Sequence, residues 1–278
     1  MRKPREAEMR GRCAWIALAA GLLAATLWCL PALAQGVEGI QPADSRYRPL
    51  GIAIDRLSGG TEGGSATKRI VTESFDFRGF REVAASHSFR VNIVRSDSFE
   101  VLVRMDRSLQ PYLVVEKRGE TLFLRLEPAR ILDSHQATLE AEVRMPDLRG
   151  IRASGASDIS IQGFSSSGSF QAELSGASVL EGETTAKSVR IEASGASTVR
   201  LRGEARQLRL DASGASSLDL RGFPAEDAEI ELSGASEAEV VLSGLLHIQA
   251  SGASRLYLGG SPDIGRIDLS GASTIQRR

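Results

Sequence analysis

The sequence predicts an all-β protein, a parallel β-helix (β-solenoid) of coils about 19 residues long with an irregular β region capping its N-terminal end. Three observations predict it. The tetrapeptide Ser154-Gly155-Ala156-Ser157 returns at Ser175, Ser194, Ser213, Ser233, Ser251 and Ser270, at steps of 21, 19, 19, 20, 18 and 19 residues. Around each copy apolar and polar residues alternate, as in Val189, Ile191 and Ala193 before one motif and Val199 and Leu201 after it. Period two is the pattern of strands with one buried face. Finally, the repeat lacks the apolar helical stripe of a leucine-rich or ankyrin unit. A unit this short encloses no core alone, so its buried face must be completed by stacking.

The alternation stays in phase between copies. Ile191, Leu210, Ile230 and Ile248 fall at one position and are expected to form one buried column. Each coil adds about 4.8 Å, so six steps give a stack roughly 29 Å tall. The motif suits a corner, because glycine takes positive φ without a Cβ clash and its small neighbours let backbones crowd. Stacked serines could form hydroxyl ladders. Parity through a bend does not decide which serine points inward. The stripe reads as a structural corner, with a flat ligand-binding face as the alternative.

In chain order, residues 1–34 read as a secretory signal peptide. Arg2, Lys3, Arg5, Arg10 and Arg12 precede an apolar run from Cys13 to Leu30, and Ala32-Leu33-Ala34 is an A-x-A cleavage site. No membrane span is expected after cleavage. Leu27-Trp28 before Cys29 does not suit a lipidated cysteine. Both cysteines lie in this segment, so residues 35–278 offer no disulfide, thiol nucleophile or cysteine metal site. They carry 29 basic and 33 acidic side chains, without the clustered basic face that nucleic acid needs.

Residues 35–69, containing Leu57-Ser-Gly-Gly-Thr-Glu-Gly-Gly-Ser-Ala66, read as a flexible linker. Residues 70–147 are again strand-like without the tetrapeptide: Phe89, Val91 and Ile93; Val101 and Val103; Leu113 and Val115; Leu122, Leu124 and Leu126; Leu139, Ala141 and Val143. They read as irregular β-coils or a small β-layer capping the stack, since an open solenoid end invites strand pairing. Residues 148–278 are the regular solenoid with its seven Ser-Gly-Ala-Ser repeats. Arg277 and Arg278 follow the last strand and are expected to blunt its edge.

Phe89-Arg-Val-Asn-Ile-Val94, Phe99-Glu-Val-Leu-Val103, Glu120-Thr-Leu-Phe-Leu124 and Val143-Arg-Met-Pro-Asp-Leu148, running into the first Ser-Gly-Ala-Ser, are the landmarks of a resemblance. From about Phe75 to Ile275 the chain resembles the putative auto-transporter adhesin head domain family, also called the GIN domain. The resemblance implies a parallel β-helix-like fold in exported bacterial proteins, and brings no catalytic residues. The 278 residues contain no membrane barrel segment after the last coil, so self-export is not expected.

No catalytic signature emerges. His87, His135 and His247 show no zinc-ligand spacing. Gly155-Ala-Ser-Asp-Ile159 fails the nucleophile-elbow pattern at its last position. No P-loop or dinucleotide fingerprint appears. The expectation is no cofactor and no metal.

The solvent face is more informative. Two residues before successive motifs stand Arg152, Glu173, Glu192, Asp211, Glu231, Gln249 and Asp268, so Glu173, Glu192, Asp211 and Glu231 form a candidate surface row about 4.8 Å apart. Like charges so placed repel. The adjacent outward row, with Arg190, Arg209, Glu229 and Arg266, offers arginine pairing as the solution. The alternative is a divalent cation such as calcium. It would sit at the fifth coil, where Glu229, Glu231, Glu237 and Glu239 have no arginine of their own.

The functional expectation is an exported, non-enzymatic, adhesin-like or envelope-binding scaffold, periplasmic or secreted, with a glycan or cell-envelope component as partner. The alternative is a polysaccharide lyase or glycosidase, since β-helices host these. Such sites need paired carboxylates, or a carboxylate with Arg or Lys, in a groove, and no long inserted loops are present to wall one. Tyr257 and Phe223 are the aromatic candidates for sugar stacking.

Overall fold

The computed structural model describes residues 69–127 and 137–278. The expected signal peptide at 1–34, and the expected linker except for Arg69, lie outside them. The chain is a β-solenoid, as the repeat spacing predicts. In its N-terminal part the strands are β1 (Ile70–Phe75), β2 (Glu82–Ala85), β3 (Arg90–Arg95), β4 (Glu100–Asp106), β5 (Leu113–Arg118), β6 (Thr121–Leu126) and β7 (Leu139–Met145). The repeats supply β8 (Gly150–Ala153), β9 (Asp158–Ser165), β10 (Ser169–Leu174), β11 (Val179–Ala193), β12 (Thr198–Ala212) and β13 (Ser217–Leu232). They continue with β14 (Glu237–Leu242), β15 (Leu245–Ala250), β16 (Arg255–Gly260), β17 (Asp263–Leu269) and β18 (Thr274–Arg277).

Two parallel ladders run up the stack. The first holds the strands that enter each corner: β8, β10, the second halves of β11, β12 and β13, then β15 and β17. The second holds the strands that leave it: β9, the first halves of β11, β12 and β13, then β14, β16 and β18. Long strands such as β12 belong to both, because the chain stays extended through the second bend of the coil. The expected column is present. Ile191 lies beside Leu210, Leu210 beside Ile230 and Ile230 beside Ile248, and each is at most 1% exposed. A strictly alternating sequence repeated in phase produces this dry interior, because every coil supplies inward side chains to the layers above and below.

The N-terminal strands do not stack in chain order. β2 and β3 make a coil that lies against β8 and β9 on one side, and against β6 and β7 on the other. Beyond these the pairing turns antiparallel: β4 on β7, β1 on β4, and β5 on β6. Phe80 and Phe99 pack at 5.0 Å between ring centroids, and Phe80 is fully buried.

Candidate ligand-facing surface

Each corner is fixed by its glycine. The seven motif glycines take φ between 69° and 78°, a region that costs other residues about 1 kcal/mol. They also stack directly. The amide of the following alanine donates to the glycine carbonyl one coil down at 2.7 Å, as Ala215 does to Gly195. A Cβ on Gly214 would lie 2.5 Å from that Gly195 oxygen. Conformation and space therefore both require glycine here.

The corner also decides the serines. The fourth residue of the motif points inward: Ser157, Ser178, Ser197, Ser216, Ser236 and Ser254 are at most 1% exposed. Their hydroxyls do not form the expected coil-to-coil ladder. Each donates to the carbonyl of the first serine of its own motif, at 2.6–2.9 Å. This bond closes the corner locally and satisfies a buried polar group. Among the described residues Ser254 and Ser273 are the one pair of motif serines whose hydroxyls approach each other across coils, at 3.5 Å. The first serines lie at the surface, beside the acidic row.

The row is in register: Glu173 faces Glu192, Glu192 faces Asp211, and Asp211 faces Glu231. Arginines hold most of it. Arg152 lies 3.3 Å from Glu173, and Arg190 reaches Glu192 at 2.5 Å within its own strand. Arg209 crosses to the next coil, at 2.7 Å from Glu229 and 3.3 Å from Glu231. The hydrogen bond to Glu192 raises the pKa of Arg190 above the ordinary arginine value, with Asp211 and Glu231 adding to it. On the other outward face Glu237 lies 3.8 Å from Arg255, and Glu239 meets Arg221 at 3.5 Å and Arg278 at 2.7 Å. So Glu229, Glu231, Glu237 and Glu239 each have an arginine, always from another coil. Among the described residues no group of three or more metal-ligating side chains is placed to hold an ion.

A shallow groove of about 590 Å³ runs along the corner. It is lined by Arg152, Glu173, Glu192 and Asp211 on one side and by Ser154, Ser175, Ser194 and Ser213 on the other. A second stretch of about 480 Å³ continues it past Asp211, Glu231 and Ser233 to Asp268 and Ser270. Phe123 and Arg125 of β6 line the first stretch as well, and its lining residues all lie on strands or at corners.

The other candidates are dispersed. Phe223 is fully buried and cannot stack on a sugar, because its position faces the interior of β13. Tyr257 carries the guanidinium of Arg278 over its ring at 4.3 Å. Arg278 thus lies back on an outward face instead of blunting the last strand, as the sequence suggested. His247 stands between Glu229 and Arg266 in register, and His135 is outside the described residues.

Sequence reasoning missed one corner. Ala85 lies beside Ala153 and Arg90 beside Asp158, so Ser86-His87-Ser88-Phe89 occupies the level of Ser154-Gly155-Ala156-Ser157. His87 takes φ 64° where glycine stands elsewhere. The available signal was Val83-Ala84-Ala85-Ser86, which repeats the small and apolar spacing of Ile151-Arg152-Ala153-Ser154.

This is a solenoid with a regular charged face, and its class is shown by comparison. The chain belongs to the family described as Putative auto-transporter adhesin, head GIN domain, whose model matches residues 79–262. Three crystal structures share the fold. A putative adhesin from Bacteroides fragilis is 18% identical with a TM-score of 0.69, over 78% of this chain and 100% of that one. A putative adhesin from Parabacteroides distasonis is 14% identical with a TM-score of 0.63, over 76% and 98%. A putative lipid binding protein from the same species is 14% identical with a TM-score of 0.58, over 76% and 98%. At these identities the likeness is one of fold. No curated protein matches the chain.

Proposed function

We propose that this protein is an exported, non-enzymatic binding module or scaffold of the bacterial envelope, adhesin-like, acting in the periplasm or outside the cell. The observation that carries this reading is the corner groove. It presents paired charges and hydroxyls at one strand spacing over successive coils. A periodic, open, polar strip suits an extended polar chain such as a glycan, or an envelope component that repeats along its length. Catalysis on a polysaccharide would need a dry, walled pocket in which a carboxyl group is kept protonated. Here the carboxylates are at the surface, and Glu173, Glu192, Glu231 and Asp268 are held by arginine. The family's adhesin description and the export signal read in the sequence support the same location. The lipid-binding description of one structural neighbour makes an envelope lipid headgroup a second class to include in the test.

The test is a screen of the protein against bacterial and host polysaccharides and anionic and zwitterionic vesicles, with retention and product release both followed. Retention without turnover, lost in a Glu192→Lys, Asp211→Lys double variant, supports the reading. New reducing ends or unsaturated products would replace it with the lyase or glycosidase alternative.

A further inference from the structure

The last coil leaves an edge that the rest of the molecule avoids. On β17, Ile264, Ile267 and Leu269 are 42%, 44% and 44% exposed. They are not outward residues. In register they continue the inward positions of Leu246, Ile248 and Ala250, which are at most 5% exposed one coil below. Among the described residues β17 pairs only with β15, and β18 only with β16, so the outer backbone groups of both strands have no strand beside them.

The two edges differ. Arg277 sits in register with buried Leu258 and places a charge at the end of that inner column. An inward charge on an edge strand is a known guard against strand pairing. The β17 edge has no such guard. Its inner positions are aliphatic, and its outward charges are Arg266 and Asp268, which bond each other at 2.5 Å along the strand.

We propose that the β17 edge is a docking surface for a second copy of this chain, joined end to end by antiparallel pairing of β17 with its twin. Sequence alone selects the register. The two strands must match inner face to inner face, so the twofold axis passes through a residue and not between two. An axis at Arg266 would set arginine against arginine, and one at Asp268 aspartate against aspartate. An axis at Ile267 sets each Arg266 opposite the other copy's Asp268 and brings the two Ile267 side chains together. The opposite end of the stack carries antiparallel strands β1, β4 and β5 in a different arrangement. A head-to-head pair therefore closes on itself and leaves the long charged face of each copy open. One strand pair and three aliphatic side chains per copy make a small interface, below the roughly 1,000 Å² of a tight complex. The association is therefore weak and concentration-dependent.

The experiment is analytical ultracentrifugation of the full chain from about 1 μM to about 1 mM. The expected result is a weight-average mass that rises toward twice the monomer, while Ile267→Lys stays monomeric throughout with an unchanged circular dichroism spectrum. A parent that stays monomeric, or an Ile267→Lys variant that associates like the parent, would overturn the proposal. A second arm does not depend on that variant folding. In a Cys13→Ser, Cys29→Ser background, Ile267→Cys should form a disulfide-linked dimer on mild oxidation, because a residue on the axis of an antiparallel pair lies about 4.5–5.5 Å from its twin. Leu245→Cys, equally exposed but on the preceding coil, should not. Equal cross-linking of the two would count against the register.

Discussion

Arg209 donates to Glu229 at 2.7 Å across the gap between two coils, and its second terminal nitrogen lies 3.3 Å from Glu231. One guanidinium on the fourth coil thus serves the carboxylates of a fifth coil that has no arginine on this face. Both partners of the shorter contact are about half exposed, at 44% and 51%. Its worth is that of a surface pair, about 0.2–1 kcal/mol. Arg209→Gln should lower stability by that amount at low ionic strength, and the difference should fade at about 1 M salt. Thermal melts of parent and variant at the two salt concentrations measure it.

The glycine column predicts a contrast between two chemically identical changes. Gly155→Ala meets only the His87 amide, at 3.3 Å, and should cost about 1 kcal/mol for its positive φ. Gly214→Ala adds a Cβ 2.5 Å from a backbone oxygen in the middle of the stack. It should cost several times more, because coils must part to admit it. Denaturant midpoints of the two variants give the comparison, and equal costs would show that the close approach is not the constraint.

Leu210 is fully buried between Ile191 and Ile230. Leu210→Asp should cost several kcal/mol or abolish folding, because it buries a charge without a partner. Asp211→Leu, one residue on but facing solvent, should change stability by less than about 1 kcal/mol. Chemical denaturation of both variants checks which face each residue occupies.

Asp219 accepts two side-chain hydrogen bonds from Arg221, at 2.9 and 2.7 Å. Arg221 holds its carboxyl below the ordinary aspartate value. A depressed folded-state pKa stabilises the fold above the unfolded pKa of 3.8, and the contribution is lost as pH falls through the folded value. Asp219→Asn should therefore lower the melting temperature at pH 7 and make little difference below the depressed folded value. A melting series from neutral to acid pH tests the sign.

Most of the solenoid was legible because one physical rule repeats. The phase of Val189, Ile191 and Ala193 recurs from the second copy to the sixth, so the inward columns and the outward row could be read directly from the alternation. Three features were not legible. The hydroxyl of Ser216 turns back to the carbonyl of Ser213 instead of to the next coil, a choice set by the bend and invisible to a count of residues. Ser86-His87-Ser88-Phe89 turns at the same level without glycine, with both His87 and Ser88 at positive φ, so the tetrapeptide does not reveal it. The partner of Glu229 depends on which way a long arginine reaches between coils, and register allows either. Phe223 illustrates the remaining limit. It follows Gly222 in a bend of β13 where the ladder against β12 shifts register, and parity cannot be carried through such a shift.

The central claim is that the charges of the acidic row are balanced by the chain's own arginines, leaving a surface for a polar partner instead of a cation site. Calorimetric titration of calcium into the protein tests it most directly. The account predicts no binding heat, and no calcium-dependent shift in melting temperature either in the parent or in a Glu229→Gln, Glu231→Gln variant. Saturable heat in the parent, with a raised melting temperature that the double variant loses, would contradict it and place a divalent ion at the fifth coil.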